Sequence, residues 1–350
     1  MSFAIPFNDV LFTAAKVLFA IVGFGLNIAG FLGWVERKQS AVMQDRIGAN
    51  RASIFGITIL GLFHPIADAI KMLTKEDFVP KGAHKGLHGL APMISLGCAM
   101  FCLAALPYGG TIQFAGRAWD LQPIATSLGL PLILPALAFG IHGVVMAGYA
   151  SGSNYGLLGA LRGAAQMIAY EVCLASSLAG LLFIYGSLDL QDAVLWQVSH
   201  HVWGIVVQPL AFILFLTAGA AVTKRTPFDL PEGESEIVGY HVEYSGMKFG
   251  MFLMTDFFES IVICGLITAL FLGGWAIPFL DLPAMGLLGG ALMLASFTTK
   301  VMLLLFLLMQ IRWTLPRFRF DQLLDLGWKN ILPLAMINFI VTVWVVYLWR

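Results

Sequence analysis

The 350-residue chain carries 20 basic and 20 acidic side chains, so charged residues make up 11% of it and hydrophobic residues 59%. Soluble globular domains have about 25% charged and 45–50% apolar residues. The composition therefore excludes a disordered chain, a water-soluble enzyme and a nucleic-acid-binding surface, and it predicts an all-α polytopic membrane protein.

Eight apolar runs are long enough to cross a bilayer, which takes about 20 helical residues. We predict spans at 10–34, 89–107, 129–149, 165–186, 203–222, 249–272, 288–311 and 330–349, all within one membrane domain that covers 1–350. Glycines and a proline interrupt the further apolar stretch 52–73. We expect it to be a broken or amphipathic segment at the membrane interface.

The distribution of basic residues predicts the orientation of these spans. Most Lys and Arg lie in the loops after spans one, three, five and seven, whereas the loops on the other side hold Arg117 alone. By the positive-inside rule, the odd-numbered loops are cytoplasmic and both termini lie outside. The first basic residue is Lys16, so we expect no cleavable signal peptide.

The chain shows no ligand set for a redox centre or a metal. Its cysteines lie inside apolar stretches, where we expect packing thiols: Cys98, Cys102, Cys173 and Cys264. Only His142 lies clearly inside a span, whereas haem b within a bundle needs paired buried histidines. Walker loops and dinucleotide fingerprints are also missing. If the protein takes part in redox chemistry, another subunit must bring the electrons.

Ionisable residues inside spans are the most informative ones, because burying each costs about 2.5–3.5 kcal/mol unless it has a partner or a function. Glu171 lies well inside span four. Asp256 and Glu259 are three residues apart on span six and face the same way. Lys300 of span seven is a plausible counter-charge for one of these acids.

The loop after span five is rich in acids and is framed by Pro227 and Pro231. The acids are Asp229, Glu232, Glu234, Glu236 and Glu243. A solvated loop has this composition too. The sharper interpretation is a water-filled acidic funnel that leads into the bundle.

The loop after span one is rich in basic residues instead. A dense polar cluster stands against the membrane, formed by Glu36, Arg37, Lys38, Asp45, Arg46 and Arg51. Such a cluster can dock a soluble partner or attract anionic lipid. Further on, Asp68 and Lys71 lie one helical turn apart, which suits the wall of a cavity for an apolar ligand with polar ends.

Several motifs carry a resemblance to a known family and follow one another in order. They are Glu36–Lys38, Arg46–Arg51, Pro65–Lys71, Ser153–Arg162, Tyr170–Glu171, Pro227–Glu236, Glu243–Gly246 and Arg317–Leu323. Over essentially its whole length, the chain closely resembles the family of H subunits of respiratory complex I, the proton-translocating NADH:quinone oxidoreductase.

The resemblance implies a subunit of a bacterial-type inner membrane that forms most of the membrane part of a quinone chamber. The implied quinone-entrance residues are Glu36, Arg37, Arg46, Asp68, Lys71, Phe228 and Asp229. The implied proton or charge relay comprises Glu171, Glu232, Glu234, Glu236, Glu243 and Asp256, with Lys300 matching a family lysine. Arg317, Arg319 and Asp321 match a motif expected to serve in docking.

The resemblance also implies what the chain works with. Quinone is the substrate, and the chain binds no cofactor of its own. The iron–sulfur clusters and FMN belong to partner subunits, so the chain is inactive alone. The implied partners are the soluble quinone-site subunits, small membrane subunits and membrane lipids.

The chain departs from the usual family pattern at a few positions. These are Ala49, Ala52-Ser53, His64 and the stretch 236–241, which is one residue short. They leave open the quinone type and the electron donor. Two alternatives stand beside this assignment: the membrane anchor of an energy-converting hydrogenase or formate-linked complex, and an autonomous cation/proton antiporter, which should show inverted repeats.

Overall fold

The chain folds into a helical membrane bundle in the computed structural model, which describes residues 7–114, 117–231, 233, 237, 239–278, 280 and 282–349. Seven helical segments within this part are long and apolar enough to cross a membrane. They are Leu11–Met43, Lys85–Ala104, Gly129–Ala150, Asn154–Tyr185, Gly246–Phe271, Gly286–Thr314 and Phe320–Leu348. The predicted all-α polytopic fold is confirmed.

The helices follow one another with short connections. They are α1 (Phe7–Leu18), α2 (Asn27–Met43), α3 (His64–Thr74), α4 (Lys85–Ala104), α5 (Gly129–Ala150), α6 (Asn154–Tyr185), α7 (Leu190–His200), α8 (Gly204–Val207), α9 (Pro209–Val222), α10 (Gly246–Phe271), α11 (Gly286–Thr314), α12 (Phe320–Asp325) and α13 (Leu332–Trp349). Two π-helical segments, Phe19–Leu26 and Leu326–Ile331, join α1 to α2 and α12 to α13 without a break.

The fifth predicted span, 203–222, is not one continuous helix. The chain leaves helical geometry at Gln208, with φ −138° and ψ 73°, between the short α8 and the 14-residue α9. At 1.5 Å per residue α9 is about 21 Å long, less than the hydrocarbon core of about 30 Å. Two side chains of α13 hold the Gln208 side chain at the break: Asn338 Nδ2 donates to Gln208 Oε1 at 3.0 Å, and Gln208 Nε2 donates to Thr342 Oγ1 at 2.5 Å.

Helix α6 begins at Asn154, well before the predicted start of span four at 165, and runs for 32 residues. The hydroxyl of Ser153 caps it by accepting a hydrogen bond from the Gly156 amide. Residues 52–63 form turns, and α3 follows as a short helix with exposed apolar side chains at Ile66, Ile70 and Leu73. This agrees with the broken, amphipathic segment expected there.

Helix α10 lies at the centre of the bundle. In its most apolar window 89% of the residues are buried, against 17–50% for the other candidate spans. It packs against α3, α4, α9 and α11. Any polar side chain on α10 therefore meets other protein groups rather than lipid.

A small antiparallel hairpin lies between α4 and α5 and was not predicted. Strands β1 (Thr111–Phe114) and β2 (Arg117–Asp120) pair with Thr111 opposite Asp120. The Lys16 ammonium donates to the carbonyls of Asp120 (3.2 Å) and Gln122 (2.7 Å) and so ties α1 to the hairpin.

Candidate functional site

Glu36 stands at the centre of a charged cluster where α2, α11 and the loop after α9 meet. Its carboxylate accepts hydrogen bonds from Arg225 Nη1 at 3.2 Å and from Arg312 Nη1. The Arg225 guanidinium also lies 4.1 Å from the ring centroid of Phe257, a cation–π contact. All three charged side chains are mostly buried, so the cluster has a fixed geometry.

Two further pairs join predicted entrance residues to neighbouring elements. Arg37 binds Asp68 at 2.5 Å, which links α2 to α3. Arg317 binds Asp229 at 2.9 Å. Phe228, beside Asp229, is buried.

Two other predicted entrance residues lie apart from this cluster. Arg46 donates to Gln44 Oε1 at 2.7 Å and is exposed. Lys71 is exposed on α3. The structure brings neither side chain to Glu36.

Asp229 combines burial with a cationic neighbour. Burial raises the pKa of its carboxyl, and the Arg317 and Arg312 guanidinium groups counteract that effect. Phe228 stacks on Phe318 with ring centroids 5.5 Å apart, and the Phe318 amide donates to the Pro227 carbonyl at 3.1 Å. The start of the acidic loop is therefore fixed against the segment that follows α11.

A buried ion cluster lies on α10. Asp256 and Glu259 are 6% and 2% exposed. The Lys224 ammonium lies 3.6 Å from Asp256 Oδ1 and 3.3 Å from Glu259 Oε2. The predicted common face of the two acids is present, but their counter-charge comes from the loop after α9.

Lys300 does not supply that counter-charge, which corrects the expectation from the sequence. Its ammonium donates to the carbonyls of Leu272, Gly274 and Ala276, at 2.9, 2.9 and 2.7 Å. These carbonyls lie just beyond the last turn of α10, where a helix leaves backbone acceptors unsatisfied. The ammonium therefore closes the connection between α10 and α11.

Glu171 lies on α6 beside the ion cluster. Its buried Oε1 has no hydrogen-bond partner within the described part of the chain. It is close enough to Glu259 and Lys224 to interact with both electrostatically. Glu171 also lines a cavity of about 340 Å³ whose other walls come from α5, α6 and Val222.

The backbone around Lys224 is held by Gln166, which the sequence analysis did not single out. Gln166 is fully buried, and its Nε2 donates to the carbonyls of Ala221 (2.8 Å) and Phe228 (2.7 Å). The only signal in the sequence is an amide five residues before Glu171 in an apolar span. Gln166 clamps both ends of the segment that places Lys224.

The remaining predicted relay residues lie in the acidic loop. Glu232, Glu234 and Glu236 fall outside the described residues. The backbone carbonyl of Glu243 lies 3.3 Å from Nε2 of the buried His88.

The described residues contain no group of three or more His, Cys, Asp or Glu that could hold a metal ion.

At the predicted docking motif, Arg319 and Asp321 form an exposed ion pair at 2.5 Å. Its exposure leaves both side chains accessible from the surface.

Comparisons with known proteins agree with these observations. The sequence model of the family described as NADH dehydrogenase matches residues 15–343. A NADH-quinone oxidoreductase H subunit of Geobacter metallireducens is 42% identical over 343 residues, which cover 97% of this chain and 98% of that protein. The corresponding H subunit of Anoxybacillus flavithermus is 43% identical over 335 residues, 94% of each chain. One from Cytophaga hutchinsonii is 38% identical over 338 residues, 95% of this chain and 96% of that protein. The chain therefore belongs to the NADH dehydrogenase family, together with these H subunits.

Proposed function

We propose that this chain is the membrane subunit of a proton-pumping NADH:quinone oxidoreductase. In this proposal it forms the membrane part of the quinone chamber and starts a carboxylate relay into the rest of the membrane arm. The observation that carries the proposal is the junction at Lys224 and Arg225. These adjacent residues join the Glu36 cluster to the buried acids of α10.

The chamber wall in this proposal is the apolar seam between α2, α9, α10 and α11. Leu32, Phe257 and Met309 line a cavity there that ends at Arg225 and Arg312. An apolar wall with charged groups at one end suits a ligand with a long hydrocarbon tail and a polar head. Guanidinium groups would donate hydrogen bonds to the quinone oxygens.

The size of this cavity decides where the head group would bind. Its volume is about 30 Å³, which is room for about one water. A quinone head therefore requires more space than the seam offers, and we place it where the seam meets the Glu36 cluster. Partner subunits would complete the chamber on that side.

The relay in this proposal begins at the acids nearest the chamber. Glu171 and Asp256 would exchange protons with the acidic loop, through Glu232, Glu234, Glu236 and Glu243. Asp256 and Glu259 share one ammonium in a low-dielectric site, so these two carboxylates titrate as a coupled set. In this proposal Lys300, which the resemblance assigned to the relay, is instead a structural residue, because three carbonyls bind its ammonium.

Partner subunits would supply the electrons, and this chain would bind the quinone and move the protons. Purified alone, it should show no sustained quinone reduction with an artificial donor. Turnover by a preparation free of detectable flavin and iron would contradict this division of labour.

A photoreactive quinone analogue tests the chamber in the assembled complex. Labelled peptides should map to 36–71 or 224–256, the stretches that surround the Glu36 cluster. Excess unlabelled quinone should suppress the labelling. Labelling confined to α13 would contradict the proposed chamber.

Glu171→Gln tests the relay, because glutamine keeps the shape and the hydrogen-bonding capacity but does not titrate. We expect the complex to assemble and to lose most of its coupled quinone reduction. The matched control is Glu76→Gln, at an exposed position. Wild-type quinone reduction and proton pumping in an assembled Glu171→Gln complex would exclude Glu171 from the relay.

A further inference from the structure

We propose that Lys224 is a positioning residue that couples the quinone chamber to the membrane acids. Its ammonium is shared between Asp256 and Glu259, and it sets the charge that surrounds Glu171. The inference rests on the proposed function and deepens it, because it names the group through which the chamber acts on the relay.

The first support is the way in which Lys224 is built into the fold. Its side chain is 1% exposed, although it belongs to a loop. Its backbone has φ +53°, in the left-handed region that a β-carbon disfavours. Such a conformation persists where the surroundings enforce it, and Gln166 provides this by clamping the residues on either side.

The second support is that Lys224 and Arg225 diverge from one peptide bond into two different charge clusters. Arg225 reaches the Glu36 carboxylate at 3.2 Å and the Phe257 ring at 4.1 Å. Phe257 is the next residue after Asp256, one of the two acids that Lys224 binds. A displacement of Arg225 by a ligand at the Glu36 cluster is therefore transmitted to Lys224 within one residue.

The third support is the balance of charge. Within the described part of the chain, the Lys224 ammonium lies 3.6 Å from one buried carboxylate and 3.3 Å from another. Among the described residues, the ionisable groups of other elements that interact electrostatically with this cluster are Glu171 of α6, Cys98 and Cys102 of α4, and Arg225 and Asp229 of the loop. Glu171 lines one cavity with Val222, two residues before Lys224, and it interacts electrostatically with Lys224 and Glu259.

Two substitutions should change the charge around Glu171 in opposite directions. Lys224→Met keeps the length of the side chain and removes the cation, so more negative charge surrounds Glu171. Glu259→Gln removes an anion and has the reverse effect. A neighbouring cation lowers the pKa of a carboxyl and a neighbouring anion raises it.

The experiment measures coupled quinone reduction and proton pumping against pH in the assembled complex. We expect the pH of half-maximal coupled activity to rise in Lys224→Met and to fall in Glu259→Gln. The double variant should return towards the wild-type value, and Lys224→Arg should stay near it. A merely structural lysine would lower the activity without moving the midpoint in opposite directions.

The outcomes separate this inference from the proposed function. If Lys224→Met does not assemble, Glu259→Gln decides alone: a lower midpoint supports the inference and an unchanged one overturns it. Unchanged midpoints in both variants, with coupled activity lost in Glu171→Gln, would overturn the role of Lys224 and leave the relay intact. Wild-type coupled activity in Glu171→Gln would exclude Glu171 from the relay and overturn this inference, which acts through Glu171.

Discussion

Replacing Lys300 with Met tests whether the buried ammonium of α11 stabilises the fold or moves protons. The wild-type side chain makes three hydrogen bonds of 2.7–2.9 Å to backbone carbonyls. Hydrogen bonds to a charged group contribute about 1.5–3 kcal/mol each, and desolvation of the ammonium offsets several kcal/mol of that sum. We expect a net loss of about 2–4 kcal/mol, because three carbonyls lose their donor.

The assay is thermal unfolding of the detergent-solubilised complex, followed together with coupled quinone reduction at a permissive temperature. Lys300→Met should unfold several degrees below the wild type and retain its coupled activity. Lys329→Met is the control, since Lys329 forms an exposed ion pair with Asp325, and exposed pairs contribute about 0–1 kcal/mol. Unchanged thermal stability together with a loss of pumping in Lys300→Met would refute the structural role.

Three further outcomes follow from the structure. Gln166→Leu should destabilise the complex by about 2 kcal/mol, because two backbone carbonyls lose their donor, and coupled activity measured beside thermal unfolding should fall with it. Burial raises the pKa of Asp229 in the folded protein. The free energy of unfolding therefore falls as the pH rises from the pKa of this carboxyl in the unfolded chain to its pKa in the folded protein. Arg317→Met removes the cation beside Asp229, so stability should continue to fall to higher pH, and thermal unfolding measured from about pH 4 to 8 would show this. Identical pH profiles for the wild type and the variant would refute the Arg317–Asp229 pair. A β-carbon at Gly148 would lie 2.7 Å from a backbone carbonyl oxygen of α6, whereas Gly97 has open space; Gly148→Ala should therefore reduce assembly and Gly97→Ala should not, which blue-native gels would measure.

The spans could be predicted from the sequence because lipid exposure imposes a length and an apolar composition on a helix. The prediction was wrong at 203–222, where the apolar run continues through Gln208 although the helix does not. The amide and hydroxyl of α13 that bind the Gln208 side chain lie 130 and 134 residues away. Hydropathy carries no information about such distant partners.

The common face of the two acids on α10 could be predicted from the sequence, but the cation that binds them could not. The spacing of Asp256 and Glu259 places both acids on one helical face, whatever surrounds them. Their partner was predicted wrongly, because Lys224 looks like an ordinary basic residue of a loop and Lys300 like a buried one. The direction of the Lys224 side chain depends on its left-handed backbone and on the clamp from Gln166, and neither has a signature in the sequence.

The burial of α10 has a consequence for the biogenesis of the protein. Its acids carry an insertion penalty of about 2.5–3.5 kcal/mol each while they face lipid. In the finished bundle its neighbours cover 89% of its most apolar window. Lys224 and four long apolar helices are synthesised before α10. The cation and the helix surfaces that bind Asp256 and Glu259 are therefore present when α10 is inserted. Helix α10 is therefore inserted after the helices that will cover it and after the cation that will bind its acids.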